Sequence, residues 1–305
     1  MIDTRDLTRS FGSVVAVDHL TLTIPEGEVF GFLGPNGAGK TTTVRMLTGL
    51  IGKSDGEARI DGQTVGDDDA SLAVRREIGL LPENVGLYED VSAYENLDYF
   101  GRLYDCPEPT RRANVERLLR MLGLWERRDA PVGTFSKGMK QKVALARALV
   151  HDPKVLFLDE PTANLDPEST KTVREFLLEL KKEKRTIFLT THNLDEAQRV
   201  CDRIGIMRTR LIAVGTPSEL KGTAGRRQTA VELASLDPTL LTNVQGRLAG
   251  RRVEANGRTL LVDVTEPDQE NPDVVAAVVA AGGRVLRVTD QAPSLEDAYL
   301  KLVHE

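Results

Sequence analysis

The chain has 305 residues, of which 40% are hydrophobic and 28% charged, and its formal net charge is −6. This balance is typical of a folded α/β protein with a substantial core, and it excludes a disordered or fibrous chain. The acidic net charge argues against a general nucleic-acid binder, which normally has a basic face. No apolar run approaches the ~20 residues needed to cross a bilayer, so we expect any link to a membrane to come through a partner.

The first two thirds of the chain alternate short apolar or β-branched runs with longer helical patterns. A helix over residues 41–50 follows the first of these runs, and the runs predicted as strands are residues 29–33, 57–61, 78–81, 155–158 and 186–191. Strands that alternate with helices in this way indicate a largely parallel sheet with crossover helices.

Residues 94–128 are helical almost throughout, with a break marked by Pro107 and Pro109. This pattern predicts a helical subdomain of about residues 85–150 inserted in the α/β core. Its leucines at helical spacing favour packing rather than a binding face. The acidic run 67–69 before it is predicted to be a solvated loop.

The last part of the chain has an order of its own. Residues 222–227 are rich in Gly, Thr and Arg and are predicted to be a linker. Strands over 229–233 and 284–288 flank a hairpin over 252–264 that turns at Asn256-Gly257, a strong hairpin signal. Helices over 238–248, 273–281 and 295–303 complete a β-α-β-β-α-β pattern plus one helix. We therefore predict a small α+β domain of the ferredoxin-like type over residues 228–305.

The segment from Gly34 to Thr41 reads Gly-Pro-Asn-Gly-Ala-Gly-Lys-Thr and lies between a predicted strand and a predicted helix. Glycines let the backbone curl around phosphate oxygens, and the helix presents its positive N-terminal end to them. The residues predicted to contact a nucleotide here are Gly34, Pro35, Asn36, Gly37, Ala38, Gly39, Lys40, Thr41 and Thr42. The alternative is a glycine-rich turn with a surface lysine, although a chance match in this length is about one in a hundred.

Two acidic residues, Asp159 and Glu160, follow the apolar run 155–158. A carboxylate at such a strand end can hold Mg²⁺ together with the Thr41 hydroxyl, while the next carboxylate can polarise a water that attacks the γ-phosphate. Taken alone, the pair is equally consistent with ordinary charges at the end of a strand. The phosphate-binding segment favours the catalytic interpretation.

The segment from Phe135 through Ser136, Lys137, Gly138 and the following helix resembles the signature motif of ATP-binding cassette (ABC) proteins. Asn164-Leu-Asp166 resembles the family's D-loop, and His192, after a predicted strand, resembles its switch histidine. Phe11 falls where an aromatic ring usually stacks on adenine. The resemblance covers about residues 1–220, so residues 1–221 are predicted to be an ABC cassette of the P-loop NTPase fold.

The resemblance implies that two cassettes pair head to tail with two ATP molecules between them. Each ATP would then contact the glycine-rich segment of one copy and Ser136, Gly138 and Asp166 of the other. His192 would contact the γ-phosphate and orient the water of Glu160. Simpler alternatives are a helix-capping role for Ser136, a structural role for His192 and a core position for Phe11.

Two positions depart from the family pattern. Glu83 stands where the Q-loop normally has a glutamine, and its carboxylate can bind Mg²⁺ but lacks the amide donor. In the signature motif, Lys137 replaces the usual glycine and Met139 the usual glutamine. Lys137 either adds positive charge near the opposing nucleotide or is a solvated side chain at the start of a helix.

The signature, the Pro-Glu-Asn segment and the chain's last helix are similar to ATPase subunits of ABC-2-type exporters, including daunorubicin-resistance and sodium-exporter types. That similarity implies a homodimer held at the cytoplasmic face of the membrane by a separate multi-span permease, with no nucleic acid bound. The competing class is a soluble ABC ATPase that acts on nucleic acid or ribosomes. The C-terminal domain either reinforces the dimer, which we favour, or senses a ligand.

Overall fold

The computed structural model describes residues 1–66 and 68–304, without the side chains of residues 68–71 and 304. The chain divides into two compact units, Met1–Pro217 and Ser218–Glu305. The strands of the first unit are β1 (Ile2–Phe11), β2 (Val14–Ile24), β3 (Val29–Leu33), β4 (Asp55–Ile60), β5 (Gln63–Thr64), β6 (Ile78–Leu81), β7 (Val155–Asp159), β8 (Thr186–Thr191), β9 (Arg203–Arg208) and β10 (Arg210–Gly215). Its helices are α1 (Lys40–Leu47), α2 (Asp68–Glu77), α3 (Ala93–Leu103), α4 (Glu108–Met121), α5 (Lys137–Leu149), α6 (Pro167–Lys182) and α7 (Leu194–Val200).

The central sheet of the first unit has the strand order β10-β9-β3-β8-β7-β6 and is parallel except for β10. Strands β3 and β7 are buried along their whole length, as expected for strands covered on both faces. The rings of Phe32 and Phe188 meet edge to face with centroids 5.3 Å apart in this core. Parallel strands end at one edge, so Leu33 pairs with Thr191 and Asp159 with Thr190. This edge collects the polar residues that follow each strand.

A second sheet of the first unit is antiparallel, in the order β2-β1-β4-β5. Within this sheet, the sequence predicted only a strand that overlaps β4. It did not predict β1 and β2, because they mix charged and apolar residues and are partly exposed. Leu7, Leu20 and Ile24 point into the core that this sheet shares with α1. The sheet brings Phe11 to its place near the glycine-rich segment.

The helical subdomain consists of α3, α4 and α5, with two short 3-10 helices, Trp125–Arg127 and Val132–Thr134, between α4 and α5. A reciprocal cap at the start of α3 joins Ser92 and Glu95, each side chain bonding the other's backbone N–H. The predicted break lies at the start of α4, where Pro107 is the N-cap residue.

Two local predictions need correction. Helix α1 ends at Leu47 rather than at residue 50, because Gly49 adopts a left-handed φ of 66°. Residue 67 of the acidic run lies outside the described residues, but the loop prediction is wrong for 68 and 69, which begin α2. Val74 is buried in the core and anchors this helix.

The second unit contains α8 (Pro217–Ala224), which begins at its boundary, then β11 (Gln228–Leu233), α9 (Pro238–Arg247), β12 (Val253–Asn256), β13 (Thr259–Asp263), α10 (Pro267–Ala280), β14 (Val285–Gln291) and α11 (Leu295–His304). Its sheet is antiparallel, with the order β12-β13-β11-β14. This is the β-α-β-β-α-β order predicted from the sequence. Val231, Leu260, Val274 and Val278 lie in its separate core.

The boundary between the units differs from the prediction. The division falls before Ser218 rather than after residue 221, and the predicted linker 222–227 overlaps α8. Leu220, just before the predicted linker, is buried within α8, so the helix that runs into this segment is anchored by packing.

Candidate functional site

The glycine-rich segment forms the loop between β3 and α1. At its end, Gly39 is the N-cap of α1 with a φ of 95°, a left-handed conformation that favours glycine. A Cβ on Gly39 would also lie 2.3 Å from the carbonyl oxygen of Ala16. The loop therefore needs glycine here to curl closely under β2, and it ends at a helix N-terminus suited to an anion.

Lys40 begins α1 and is only 7% exposed. Its Nζ donates hydrogen bonds to the carbonyl oxygens of Gly34 (2.7 Å) and Pro35 (3.2 Å), and it lies 3.6 Å from Oε1 of Glu160. The ammonium group thus stands between the loop and the acidic strand end. A phosphate entering the loop would meet this charge directly.

Asp159 ends β7 and is 3% exposed. Its Oδ1 accepts hydrogen bonds from the hydroxyls of Thr41 (3.2 Å) and Thr190 (2.5 Å). Carboxylate and hydroxyl oxygens are the donors that Mg²⁺ prefers, and this ion is usually held by one or two protein ligands plus phosphates and water. The Thr41–Asp159 pair therefore fits a magnesium ion. Within the described part of the chain, no group of three or more His, Cys, Asp or Glu residues could hold a metal.

Glu160 follows Asp159 with a φ of 53°, which is uncommon for a residue with a side chain. Its backbone N–H donates to both the carbonyl and the hydroxyl oxygen of Thr190, each at 3.1 Å. Its Oε2 lies 2.8 Å from Nδ1 of His192, whose side chain is 62% exposed against 13% for Glu160. The turn places the Glu160 carboxylate within hydrogen-bonding distance of an exposed imidazole, so the two groups can share a proton.

One cleft of about 480 Å³ is lined by Phe11, Ala16, Asn36, Gly37, Ala38, Gly39, Lys40, Thr41, Thr42, Glu83 and Glu160. Phe11 is half exposed, and the guanidinium carbon of Arg9 lies 4.5 Å from its ring centre. The structure thus brings together Phe11, most of the glycine-rich loop, Glu83 and Glu160 around one cleft. A mixed aromatic and cationic rim above a phosphate loop suits a nucleotide.

Seven predicted residues do not line this cleft. Four of them are hydrogen-bonded to residues that do: Gly34 and Pro35 to Lys40, Asp159 to Thr41, and His192 to Glu160. The other three are Ser136, Gly138 and Asp166. Ser136 is the exposed N-cap of α5, and its hydroxyl accepts the N–H of Met139 at 3.3 Å. Asp166 caps α6 by accepting the N–H of Ser169 at 2.9 Å, a bond that lowers the pKa of the Asp166 carboxyl. Ser136, Gly138 and Asp166 lie instead where the N-terminal ends of α5 and α6 come together.

Gly138 allows α5 and α6 to meet closely. A Cβ at this position would lie 2.2 Å from the hydroxyl of Ser169 and 3.1 Å from a carboxylate oxygen of Asp166. Gly138 therefore has a packing role within one chain, whatever it contacts outside it.

Sequence reasoning missed Thr190, Arg9 and Ala16. Thr190 belongs to a strand that was predicted, but only the pairing of β7 with β8 puts its hydroxyl on Asp159. Arg9 and Ala16 lie on β1 and β2, which were not predicted. The available signal was the alternation of buried with less buried positions, which places Ile2 and Thr4 in the interior on β1 and Leu22 and Ile24 on β2.

Comparison with known proteins shows which family this chain belongs to. A family model described as ABC transporter matches residues 17–163. The Nod factor export ATP-binding protein I of Rhizobium sp. (strain N33) is 37% identical over 302 residues, covering 99% of this chain and 96% of that protein. The linearmycin resistance ATP-binding protein LnrL of Bacillus subtilis (strain 168) is 30% identical over 99% of this chain and 98% of its own length.

Solved structures agree with this similarity. A cassette from Clostridium perfringens, cbiO1, matches with a TM-score of 0.66 and 30% identity over 72% of this chain and 90% of its own. A bacterial ABC transporter cassette solved as a dimer matches with a TM-score of 0.65 and 27% identity over 71% of this chain and 98% of its own.

The fold and the site thus define a P-loop ATPase of the cassette type, and the chain belongs to the ABC transporter family. It is an ATP-binding, ATP-hydrolysing subunit of a transporter, of the kind whose relatives are named for export and resistance. Among the residues that the structure describes, no helix is long and apolar enough to cross a membrane.

Proposed function

We propose that this ATPase dimerises around two ATP molecules and drives export through a separate ABC-2-type permease, at the cytoplasmic face of the membrane. The observation that carries the proposal is the division of the site. The cleft is lined by most of the phosphate loop, Glu83 and Glu160, and Asp159 and His192 are hydrogen-bonded to Thr41 and Glu160 of that lining. Ser136, Gly138 and Asp166 lie instead at the junction of α5 and α6. One copy therefore provides two half-sites rather than one complete site.

ATP enters the cleft with its phosphates on the loop from Gly34 to Thr42. Lys40 exchanges its bonds with the carbonyl groups of Gly34 and Pro35 for phosphate oxygens. Adenine stacks on the exposed Phe11 ring. Bound Mg²⁺, held by Thr41 and Asp159 with Glu83 nearby, would neutralise charge on the phosphates.

Hydrolysis uses Glu160 and His192. The Glu160 carboxylate accepts the proton of the attacking water, an effect typically worth about 10²–10⁴-fold. His192 is 2.8 Å from the other carboxylate oxygen, which keeps Glu160 oriented, and its exposed ring reaches toward the γ-phosphate. Lys40, 3.6 Å from Glu160, balances negative charge on the same side.

The second copy completes each site. Ser136 is exposed at the start of α5, so its hydroxyl, the free N–H groups of the first turn and the positive helix end can face a γ-phosphate from another chain. Asp166 lies at the corresponding end of α6. ATP then joins the two copies, and its hydrolysis releases them.

The permease contacts an exposed aromatic patch on the helical subdomain. The patch consists of Tyr88, Tyr99, Phe100 and Leu103, in which Tyr88 and Tyr99 meet edge to face at 5.3 Å. Tyr88, Tyr99 and Leu103 are 52%, 46% and 59% exposed. Large exposed apolar groups gathered in one place mark an interaction surface, and the segment from Glu83 to Tyr88 joins this patch to the ATP cleft.

Purification from membranes tests the proposal. A tagged chain should bring down a protein with several membrane spans, and Leu103→Asp should abolish this association while ATP hydrolysis is retained. Leu286→Asp, at a residue of similar exposure (58%) in the second unit, is the matched control and should keep the partner. Recovery of ribosomes or nucleic acid in place of a membrane protein would favour the competing class of ABC ATPase.

A further inference from the structure

A buried acid outside the cleft links the two catalytic turns. Glu196 lies in α7 and is 0% exposed. One oxygen of its carboxylate accepts the hydroxyl of Thr162 at 2.9 Å, and the other accepts the hydroxyl of Thr191 at 2.8 Å. A buried carboxyl is costly unless it is hydrogen-bonded, so the fold retains this group at a cost that two threonines offset.

The first threonine lies in the turn that carries Glu160. Thr162 is two residues after Glu160, and the N–H of Ala163 donates to the Glu160 carbonyl at 3.1 Å. The side chain of Gln141 donates to the carbonyl of Pro161 at 2.9 Å. The bond from Thr162 to Glu196 therefore fixes the far side of a turn in which Glu160 has a left-handed backbone.

The second threonine directly precedes His192. Thr191 donates to Glu196 and also accepts the N–H of Asn193 at 3.0 Å. The side chain of Asn193 in turn accepts the N–H of Glu196 at 3.1 Å. Both neighbours of His192 are thus tied to Glu196, whereas the imidazole itself is largely exposed and gains little support from packing.

We propose that Glu196 is a positioning residue that holds Glu160 and His192 at their hydrogen-bonding distance. The two turns leave different strands, β7 and β8, and the single carboxylate bridges them with one oxygen for each. This inference rests on the proposed roles of Glu160 and His192. Displacement of a reacting group by about 1 Å can cost about 10²-fold in rate, so the bridge matters for turnover more than for ATP binding.

The charges around Glu196 fit this role. Burial raises the pKa of the Glu196 carboxyl, the carboxylate of Glu160 raises it further, and the two threonine bonds and the Arg174 guanidinium oppose the increase. What the bridge requires is two hydrogen-bonding atoms at fixed positions. An amide of the same shape provides them, since its nitrogen can donate to one threonine hydroxyl.

The test compares Glu196→Ala with the isosteric Glu196→Gln in steady-state ATP hydrolysis. We expect Glu196→Ala to lower kcat by about 30-fold or more, while KM for ATP changes by less than about threefold because Lys40 and the glycine-rich loop are intact. Glu196→Gln should keep kcat within about threefold of the parent. Val200→Ala, a buried substitution in the same helix, controls for lost stability and should leave the kcat of the folded protein unchanged.

Two further variants distinguish the ways in which this inference could fail. In a His192→Ala background, Glu196→Ala should cause little additional loss, because residues that act as one unit are not additive. If Glu196→Ala does not fold, Thr162→Val removes one arm of the bridge and should lower kcat by about tenfold.

An unchanged kcat in Glu196→Ala or Thr162→Val, beside inactive Glu160→Gln, would overturn this inference and leave the proposed function standing. Full activity in Glu160→Gln and His192→Ala would overturn the proposed function itself. A fully additive loss in the double variant would likewise contradict positioning through His192.

Discussion

At the scale of single residues, the cleft has its charges in place within one chain. Lys40 is buried, donates to the backbone carbonyl groups of Gly34 and Pro35, and approaches Glu160 at 3.6 Å. Asp159 is bonded by two threonine hydroxyls. We therefore expect Lys40 to act in ATP binding and Glu160 in turnover. One substitution at each residue separates the two roles.

Glu160→Gln should stop ATP hydrolysis and leave ATP binding intact. The amide preserves the shape and the contact with His192 but cannot accept a proton from water. We expect kcat to fall by about 10²-fold or more, with a dissociation constant for ATP close to that of the parent in a fluorescence titration. Hydrolysis at the parental rate would show that Glu160 is not the base.

Lys40→Ala should weaken ATP binding itself. Removing an ammonium that faces phosphate takes away a charge-assisted contact, so the dissociation constant should rise by about tenfold or more. Calorimetric titration of the purified variants measures this change. Lys182→Ala removes an exposed lysine that does not line the cleft and serves as control, and equal affinities for Lys40→Ala and the parent would reject the role.

At the scale of elements, the close contact of α5 and α6 depends on Gly138. Alanine at a helical glycine usually stabilises by about 0.5–1 kcal/mol. Here a Cβ would lie 2.2 Å from the Ser169 hydroxyl and 2.7 Å from the Ser169 Cβ, so the Ser169 side chain or the helices themselves must shift. The sign of the effect therefore reports whether this packing exists.

Gly138→Ala should lower the free energy of unfolding by about 1–3 kcal/mol, the usual cost of overpacking. Denaturant unfolding without nucleotide measures this change in one chain, before any dimer forms. Lys137→Ala, one residue earlier and exposed, should stay within about 0.5 kcal/mol of the parent. A more stable Gly138→Ala would mean that α5 and α6 do not approach as described.

The sequence was most informative where residues adjacent in the chain also act together. The loop from Gly34 to Thr42 and the Asp159–Glu160 pair belong to this class, because a strand end and a helix start place them locally. Thr190 and Glu196 could not be found in this way, since their contacts depend on which strands are neighbours. Strands β1 and β2 were missed because their exposed positions weaken the apolar alternation.

At the scale of the whole molecule, the two units have separate hydrophobic cores. One cluster consists of buried side chains between Ile2 and Met207, and the other consists of buried side chains between Val231 and Val278. The first unit contains every residue assigned to the ATP site. The second unit is a candidate for reinforcing the dimer, the role favoured from the sequence.

A chain that ends at Pro217 should fold and bind ATP with the affinity of the full chain, because its core and its cleft are both complete. Circular dichroism and an ATP titration check these properties. If the second unit reinforces the dimer, the shortened Glu160→Gln variant should dimerise more weakly with ATP than the full-length variant. An insoluble or non-binding fragment would show that the two units do not fold independently.

The most direct test of the central claim is the mass of the Glu160→Gln protein in solution with saturating Mg²⁺ and ATP, measured by light scattering. We expect twice the chain mass of 33.5 kDa, and a return to the single-chain mass when Ser136→Arg is added. A Glu160→Gln protein that binds ATP yet keeps the single-chain mass would contradict the account of a site shared between two copies.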